Sequence, residues 1–223
     1  MYGKEQFRIR RGELMADHYE CLFPTGTHIE YKGDTGEIEW GTADHTMGLG
    51  TDGMQAEDMG NDILRLHGVK RYPPIGNILI ISAARRLGCG FFCEESSDIL
   101  CENVNIHSCH GMGLLAQVCE NITLRCFNTI RHGDQYYTAN ADSTHFVNCT
   151  GLVTVENSTF EGQLDDALNI HGMYTRIVDK TENELFVNEV HSQAKGIRIS
   201  RAGDRIQVLK PDTLIQYTEN SIK

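Results

Sequence analysis

The 223-residue chain lacks the features that would place it in a membrane or on nucleic acid. No apolar run approaches the roughly 20 residues that a transmembrane helix requires, so no membrane span is expected. The net charge is −11 and no basic patch stands out, which argues against a nucleic-acid partner. The chain begins with MYGKEQFRIRRGEL, which has no apolar signal-peptide core. This predicts a cytoplasmic protein, or a secreted or periplasmic one if the sequence is a trimmed piece of a longer chain.

The eight cysteines lack the spacing of a zinc site. Cys89 and Cys93 are four residues apart, and no second pair matches them. Five others sit inside or beside apolar strand patterns, namely Cys101, Cys109, Cys119, Cys126 and Cys149. A free cysteine in such a place behaves as a small buried hydrophobe. We therefore predict free, largely buried thiols rather than disulfides, and neither a metal nor another cofactor.

Short strand-like segments recur at nearly constant spacing in the middle of the chain. Four apolar segments begin at Asn77, Asp98, Asn121 and Leu152, with intervals of 21, 23 and 31 residues. A period in the low twenties, punctuated by Gly, Asn and Ser, predicts an all-β fold, a right-handed parallel β-helix of the pectin-lyase-like kind. The longest interval contains about eight extra residues, 131–138, which we expect to form a loop beside the rung. The residues expected to stack in one interior column are Ile78, Ile99, Ile122 and Val153.

The repeat divides the chain into three predicted regions. Residues 1–75 are irregular or β-rich and lead into the helix, with a hairpin expected over 27–40. Residues 76–172 form the rungs that carry the site. Residues 173–223 contain short segments in which apolar and polar residues alternate. These segments predict a small antiparallel β-barrel-like module, or the start of one. Because no cap is recognisable at the end, the chain is expected to be a piece of a longer β-helix.

Three aspartates are expected to lie close together on two neighbouring rungs. Asp142 and Asp165 are 23 residues apart, which is the length of one repeat. Because parallel neighbours are about 4.8 Å apart, we expect these two side chains to stack on one face, with Asp166 one step along. The equivalent places in earlier rungs would be Gly90 and Gly111, which would leave room for a ligand.

Carboxylates grouped in this way are the usual equipment for hydrolysing a glycosidic bond. Carboxyl groups that interact strongly lose their protons at different pH values, so that one serves as a general acid and another as a general base. Aspartates that only cap turns are the alternative interpretation, and three brought together favour the catalytic one. The candidate substrate-binding residues are His145, Glu161, Asn169, His171, Gln117 and Asn140. Turn-stabilising histidines and an internal polar ladder that includes Gln117 stay open as structural interpretations.

Three runs resemble the α-1,3-galactosidases of glycoside hydrolase family 110. They are MGLLAQVCENITL (112–124), NADSTHFVNCTGLVTVEN (140–157) and FEGQLDDALNIHG (160–172). The resemblance covers roughly residues 75–210. It implies a β-helix with an inserted barrel-like module, and an inverting enzyme that removes terminal α-1,3-linked galactose from blood-group-B-like or linear glycans. It also implies that Asp142, Asp165 and Asp166 are the catalytic carboxylates. The family's chains are much longer, so rungs on both sides are expected to be missing here.

Two other functions are compatible with the same pattern. A polygalacturonase-like hydrolase would need a basic Arg-Ile-Lys, whereas residues 198–200 are Arg-Ile-Ser. Between residues 110 and 172 seven acids accompany only two arginines, a net charge of −5, which favours a neutral sugar over a polyanion. A non-catalytic β-helix that binds glycans or serves as a structural spike stays open. Each of these functions makes a carbohydrate the expected partner, and no oligomeric state is predicted.

Overall fold

The computed structural model of the chain describes residues 6–10, 13–18, 21–41, 54–83, 86, 88–191 and 194–222. The strands are β1 (Gln6–Arg10), β2 (Glu13–His18), β3 (Cys21–Tyr31), β4 (Gln55–Asp58), β5 (Leu64–His67), β6 (Ile78–Ala83), β7 (Phe91–Glu94), β8 (Ser97–Ile106), β9 (Leu114–Gln117), β10 (Glu120–Thr129), β11 (Thr144–Val147), β12 (Thr150–Glu156), β13 (Leu168–His171), β14 (Thr175–Lys180), β15 (Leu185–Glu189), β16 (Arg205–Leu209) and β17 (Gln216–Ser221). Within these ranges, no helix has the length and apolar character needed to cross a membrane.

Two parallel sheets form the centre of the fold and confirm the predicted parallel β-helix. One sheet has the order β7-β9-β11-β13 and the other has the order β8-β10-β12. Ile122 pairs with Ile99 on one side and with Val153 on the other, so these three residues form the predicted column. Ile122 is buried, and both neighbours pack against the same apolar core. Successive rungs therefore repeat one inward-facing pattern.

The core lies between the two parallel sheets. Its fully buried members include Leu114 and Phe146 from the first sheet, and Leu124 and Phe127 from the second. Alternate side chains of a strand point to the same face, which explains why each short strand contributes only one or two large apolar groups. Burying each such group contributes roughly 1.5–3 kcal/mol. Rungs that could not bury this surface alone are stabilised by stacking.

Ile78 does not join this column, so that part of the prediction is wrong. It pairs with Tyr31 because β6 runs antiparallel to β3 in a separate sheet of order β1-β2-β3-β6. The alternating pattern of an antiparallel strand resembles that of a rung, so the pattern does not indicate which strand is the partner. The expected hairpin over 27–40 is present, since Tyr31 also bridges to Ile38 and Lys32 N donates to Glu37 O at 2.8 Å.

Residues with positive φ recur at matching places in successive rungs. The three stacked sets are Glu95–Val118–Asn148, Asp98–Asn121–Gly151 and Asn103–Cys126–Asn157. Asn and Gly tolerate this left-handed conformation better than most residues. Asn121 also links rungs directly, because its Nδ2 donates to Asp98 Oδ1 at 3.1 Å and its Oδ1 accepts from Leu152 N at 3.2 Å. Each rung therefore bends at the same places.

The seven cysteines whose side chains the structure describes are free. Cys119 is buried, whereas Cys101, Cys126 and Cys149 are only half-buried. Cys101 and Cys149 pack against the core as predicted. Cys126 instead occupies one of the left-handed bends, with a φ of 50°, so its predicted place on an apolar rung position is wrong.

The extra loop at 131–138 is confirmed. Thr129 pairs with Ile106 and Ala139 with Cys109, so the partner offset grows from 23 to 30 residues across this loop. Tyr136 contacts Tyr31 with ring centroids 5.1 Å apart, and its carbonyl accepts a hydrogen bond from the Tyr31 hydroxyl. Beyond the rungs, β14–β15 and β16–β17 form two antiparallel hairpins. The division of the chain into three regions stays a prediction.

Candidate active site

The register of β11 and β13 aligns Asp142 with Asp166. Thr144 pairs with Leu168, and Ser143 N donates to Asp166 O at 2.9 Å. Extending this register by two residues places Asp142 beside Asp166. The expected stack of Asp142 on Asp165 is therefore wrong by one residue, because this rung contains 24 residues rather than 23.

The same register also corrects the positions assigned to earlier rungs. The places equivalent to Asp142 fall at Met112 and Cys89, one residue away from the predicted Gly111 and Gly90. A Cβ atom on Gly90 would lie 2.6 Å from Gly113 O, and one on Gly111 would lie 2.6 Å from Gly88 O. These glycines allow neighbouring backbones to approach each other, so they do not provide the expected room for a ligand.

Asp142 begins a chain of hydrogen bonds that ends at the protein surface. The residue is 2% exposed, and its Oδ2 lies 2.5 Å from His145 Nδ1. His145 Nε2 lies 2.8 Å from His171 Nε2, and the two rings meet edge to face with centroids 4.9 Å apart. His171 is exposed, and its Nδ1 lies 2.8 Å from Gly172 O. The structure thus joins three of the predicted site residues in one network.

Asp165 and Asp166 are both exposed and have different partners. Asp165 Oδ2 accepts a hydrogen bond from Arg86 Nη2 at 3.0 Å, which makes an ion pair. Asp166 Oδ2 accepts from Asn169 Nδ2 at 3.0 Å. Asn169 is paired with His145 across the two strands, so Asp166 lies beside the histidine network. Two neighbouring carboxylates are therefore held in two different environments.

Arg86 contacts a candidate site residue, and the sequence does not predict this contact. It lies 79 positions before Asp165 and precedes the first parallel strand. Nothing in the local sequence assigns a partner to one arginine of the Arg85-Arg86 pair. The only available signal is charge, since cations are scarce in the acidic region around the rungs.

Gln117 lies on the sheet face that carries the histidines. It pairs with Val147, which pairs in turn with His171, and His145 lies two residues before Val147 on the same face. Gln117 is largely buried. The expected place of Gln117 near the aspartates is thus compatible with the strand register, and its role in binding stays a prediction.

Glu161 and Asn140 have other local roles. Glu161 Oε1 accepts a hydrogen bond from Arg131 N at 3.0 Å, and its carbonyl accepts one from the Thr138 hydroxyl at 2.6 Å, so it holds the loop 131–138. Asn140 N donates to Cys109 O at 3.3 Å. Substrate binding by either residue stays a prediction. In the part of the chain that the structure describes, no three His, Cys, Asp or Glu side chains are grouped as metal ligands.

Comparison with known proteins connects this geometry to one group of enzymes. No family model matches the chain. The chain is 34% identical to the alpha-1,3-galactosidase B of Phocaeicola vulgatus, over 83% of this chain and 32% of the relative. It is 32% identical to the alpha-1,3-galactosidase B of Parabacteroides distasonis, over 93% of this chain and 34% of the relative.

A second subgroup of these proteins matches a smaller part of the chain. The chain is 36% identical to the alpha-1,3-galactosidase A of Akkermansia muciniphila, over 62% of this chain and 24% of the relative. The chain thus spans about a third or less of the length of these relatives. It belongs to the family of the bacterial alpha-1,3-galactosidases, glycoside hydrolase family 110.

Proposed function

We propose that this chain hydrolyses the bond to a terminal α-1,3-linked galactose, with inversion at the anomeric carbon. The observation that carries the proposal is the pair of exposed carboxylates, Asp165 and Asp166, beside the buried Asp142 network. The similarity to proteins named alpha-1,3-galactosidases supports the substrate class. Paired carboxyl groups across the bond are what hydrolysis of a glycoside requires.

The partners of the two exposed aspartates support a division of roles. Asp165 is paired with the permanent positive charge of Arg86, and an ion-paired carboxylate suits the base that removes a proton from water. Asp166 accepts from the neutral Asn169 amide and is aligned with Asp142, which makes it the better acid for the departing oxygen. In an inverting enzyme these groups are separated by about 6.5–9.5 Å, which leaves space for the water.

Asp142 contributes to the same reaction although it is buried. With an exposure of 2%, its carboxyl group acts through His145 and the neighbouring strand. His171 and Asn169, at the exposed end of the site, are proposed to contact sugar hydroxyl groups. The local net charge of −5 over 110–172 supports a neutral glycan as substrate.

The test is to incubate the chain with a linear and a branched, blood-group-B-like oligosaccharide that each end in α-1,3-linked galactose. NMR should detect β-galactose as the first product, because inversion converts an α-linkage to the β-anomer. Polygalacturonate serves as the control substrate and should stay intact. Release of α-galactose would contradict inversion. Binding of the glycan without release of galactose would instead establish a non-catalytic glycan-binding protein.

A further inference from the structure

The hydrogen bonds around His171 determine which of its nitrogens carries a proton. Its Nδ1 faces the carbonyl oxygen of Gly172 at 2.8 Å. A carbonyl oxygen only accepts hydrogen bonds, so Nδ1 must carry a proton. The opposite nitrogen of the same ring, Nε2, faces His145 Nε2 at 2.8 Å. Two ring nitrogens at this distance need one proton between them, because two lone pairs would repel each other.

The contact between Asp142 and His145 needs a further proton. Asp142 Oδ2 and His145 Nδ1 are 2.5 Å apart, so one of the two atoms must donate to the other. Three contacts in the network therefore hold three protons. When Asp142 is ionised, the positive charge lies either on His145 or on His171. When Asp142 is protonated, neither histidine is charged. Each of these three arrangements contains the same three protons and carries no net charge.

We propose that Asp142, His145 and His171 form a proton relay between a buried carboxyl group and the surface. In one step the proton of Asp142 moves to His145 Nδ1 while the proton on His145 Nε2 moves to His171 Nε2. His171 becomes the cation and releases its Nδ1 proton to water, which competes with Gly172 O at this exposed position. The number of protons and the charge balance at each transfer, and no other reactant is required.

The strand neighbours of His145 carry no charge. The residues next to His145 on the neighbouring strands are Leu115 and Asn169, which are both uncharged. The nearby charges are those of Asp166, which is bound to Asn169, and of Asp165 with Arg86. His171 is exposed whereas Asp142 and His145 are buried, so the relay exchanges protons with water through His171.

The use of the relay in catalysis rests on the proposed function. Asp142 is aligned with Asp166, so the charge of the relay changes the field at the proposed acid. Loss of the third proton, from His171 Nδ1, would add one negative charge beside Asp166 and would break the hydrogen bond between His171 and Gly172 O. Asp142 and His145 act through other groups, so they are positioning residues for the reaction.

The first experiment needs no enzymatic activity. In ¹⁵N-labelled full chain at neutral pH, NMR should show a proton on His171 Nδ1 and a scalar coupling between the two Nε2 nitrogens across their shared proton. The signals are assigned with His145→Gln and His171→Gln, and His67→Gln on the exposed β4–β5 hairpin is the matched control that should keep the coupling. Absence of the coupling in the wild-type chain, or an unprotonated His171 Nδ1, would overturn the relay.

The second experiment tests the catalytic use. His171→Ala removes the exposed end of the relay, so turnover should fall roughly a hundredfold, the scale of positioned proton transfer. Added imidazole should then raise the turnover of this variant and leave that of the wild type unchanged, which a purely structural role does not predict. If the wild type is active and added imidazole does not raise the turnover of His171→Ala, the use of the relay in catalysis is refuted. An inactive wild type that shows the nitrogen coupling would refute the proposed function alone.

Discussion

Arg86 Nη2 lies 3.0 Å from Asp165 Oδ2, although 79 positions separate the two residues in sequence. The contact connects the segment before the first parallel strand with the last described rung. Both side chains are about half exposed, at 50% and 47%. A surface ion pair of this kind contributes about 0–1 kcal/mol to stability, so its main effect is to orient the carboxylate.

The change Arg86→Gln should therefore reduce activity more than stability. We expect kcat/KM to fall about tenfold or more, since loss of an orienting charge displaces the proposed base, while the free energy of unfolding changes by less than about 1 kcal/mol. The measurements are steady-state kinetics on the α-1,3-galactosyl oligosaccharide and denaturant unfolding.

Arg198→Gln is the matched control for this change. Arg198 forms an ion pair with Glu95 at 3.4 Å, with nearly the same exposure of 54% and 46%. It should leave kcat/KM unchanged. Equal losses of activity in both variants would show that the net charge, rather than the position of Arg86, matters.

Gly113→Ala should destabilise the rungs that carry the site. An added Cβ would lie 2.5 Å from Ser143 O and 3.0 Å from Thr129 Cγ2, so β9 and β11 would have to move apart. Overpacking of this kind costs about 1–3 kcal/mol, and we expect that loss in the free energy of unfolding from denaturant titration. Gly88→Ala is the control, because no described atom lies within 4 Å of its added Cβ. A Gly113→Ala chain as stable as the wild type would contradict the close approach of these rungs.

The sequence could predict the column of Ile99, Ile122 and Val153 because each rung repeats the same local alternation. The extra loop was also predictable, since it lengthens one interval and leaves the others unchanged. The partner of Ile78 was not, because β6 has the same alternation as a rung and pairs with a strand more than forty residues earlier. Strand periodicity determines which face a residue occupies, and it does not determine the neighbouring strand.

The site was predicted as a cluster but not in its detailed arrangement. The spacing of 23 residues aligned Asp142 with Asp165, whereas one additional residue in the rung aligns it with Asp166. Such a shift is invisible in the sequence because rung lengths vary by one residue at bends. The pairing of Asp165 with Arg86 depends on a contact between distant segments, so no local spacing indicates it.

The free energy of unfolding should fall as the pH rises above about 8.5, the ordinary pKa of an exposed thiol. Burial raises the pKa of five thiols, those of Cys89, Cys93, Cys101, Cys109 and Cys149. Their contribution to stability is fully present below the pKa of the unfolded chain and is lost as the pH rises through the folded value. Burial also raises the pKa of Tyr31, which continues the same trend at higher pH. Denaturant unfolding with a reductant, at pH values on both sides of about 8.5, measures this slope.

Cys109→Ala separates titration from packing in that experiment. The variant loses some apolar contact at every pH, but it also lacks one of the titrating thiols. We therefore expect a lower free energy of unfolding with a shallower decrease above about pH 8.5. A stability that stays constant or increases over this range in the wild type would contradict the effect of burial on these thiols.

Asp165→Asn and Asp166→Asn test the proposed division between base and acid. Each change keeps the shape of the side chain and removes either the charge or the acidic proton. We expect each to reduce turnover on the order of a hundredfold or more, which is the scale of general acid–base catalysis. Both side chains are exposed, so stability should change by about 0.5 kcal/mol or less. Kinetics on the α-1,3-galactosyl oligosaccharide and denaturant unfolding give the two quantities.

The identity of the leaving group should distinguish the two variants. The acid protonates the departing oxygen, so a galactoside with a good leaving group, such as a nitrophenolate, needs it least and should recover most of its rate in Asp166→Asn. The same substrate should stay slow in Asp165→Asn, because attack by water still requires a base. Asp212→Asn, an exposed residue near the last hairpin, is the control and should retain the wild-type rate. If the rate on the activated galactoside recovers in Asp165→Asn instead, Asp165 is the acid and Asp166 the base. Full activity of Asp166→Asn on the oligosaccharide would show that Asp166 has no role in the mechanism.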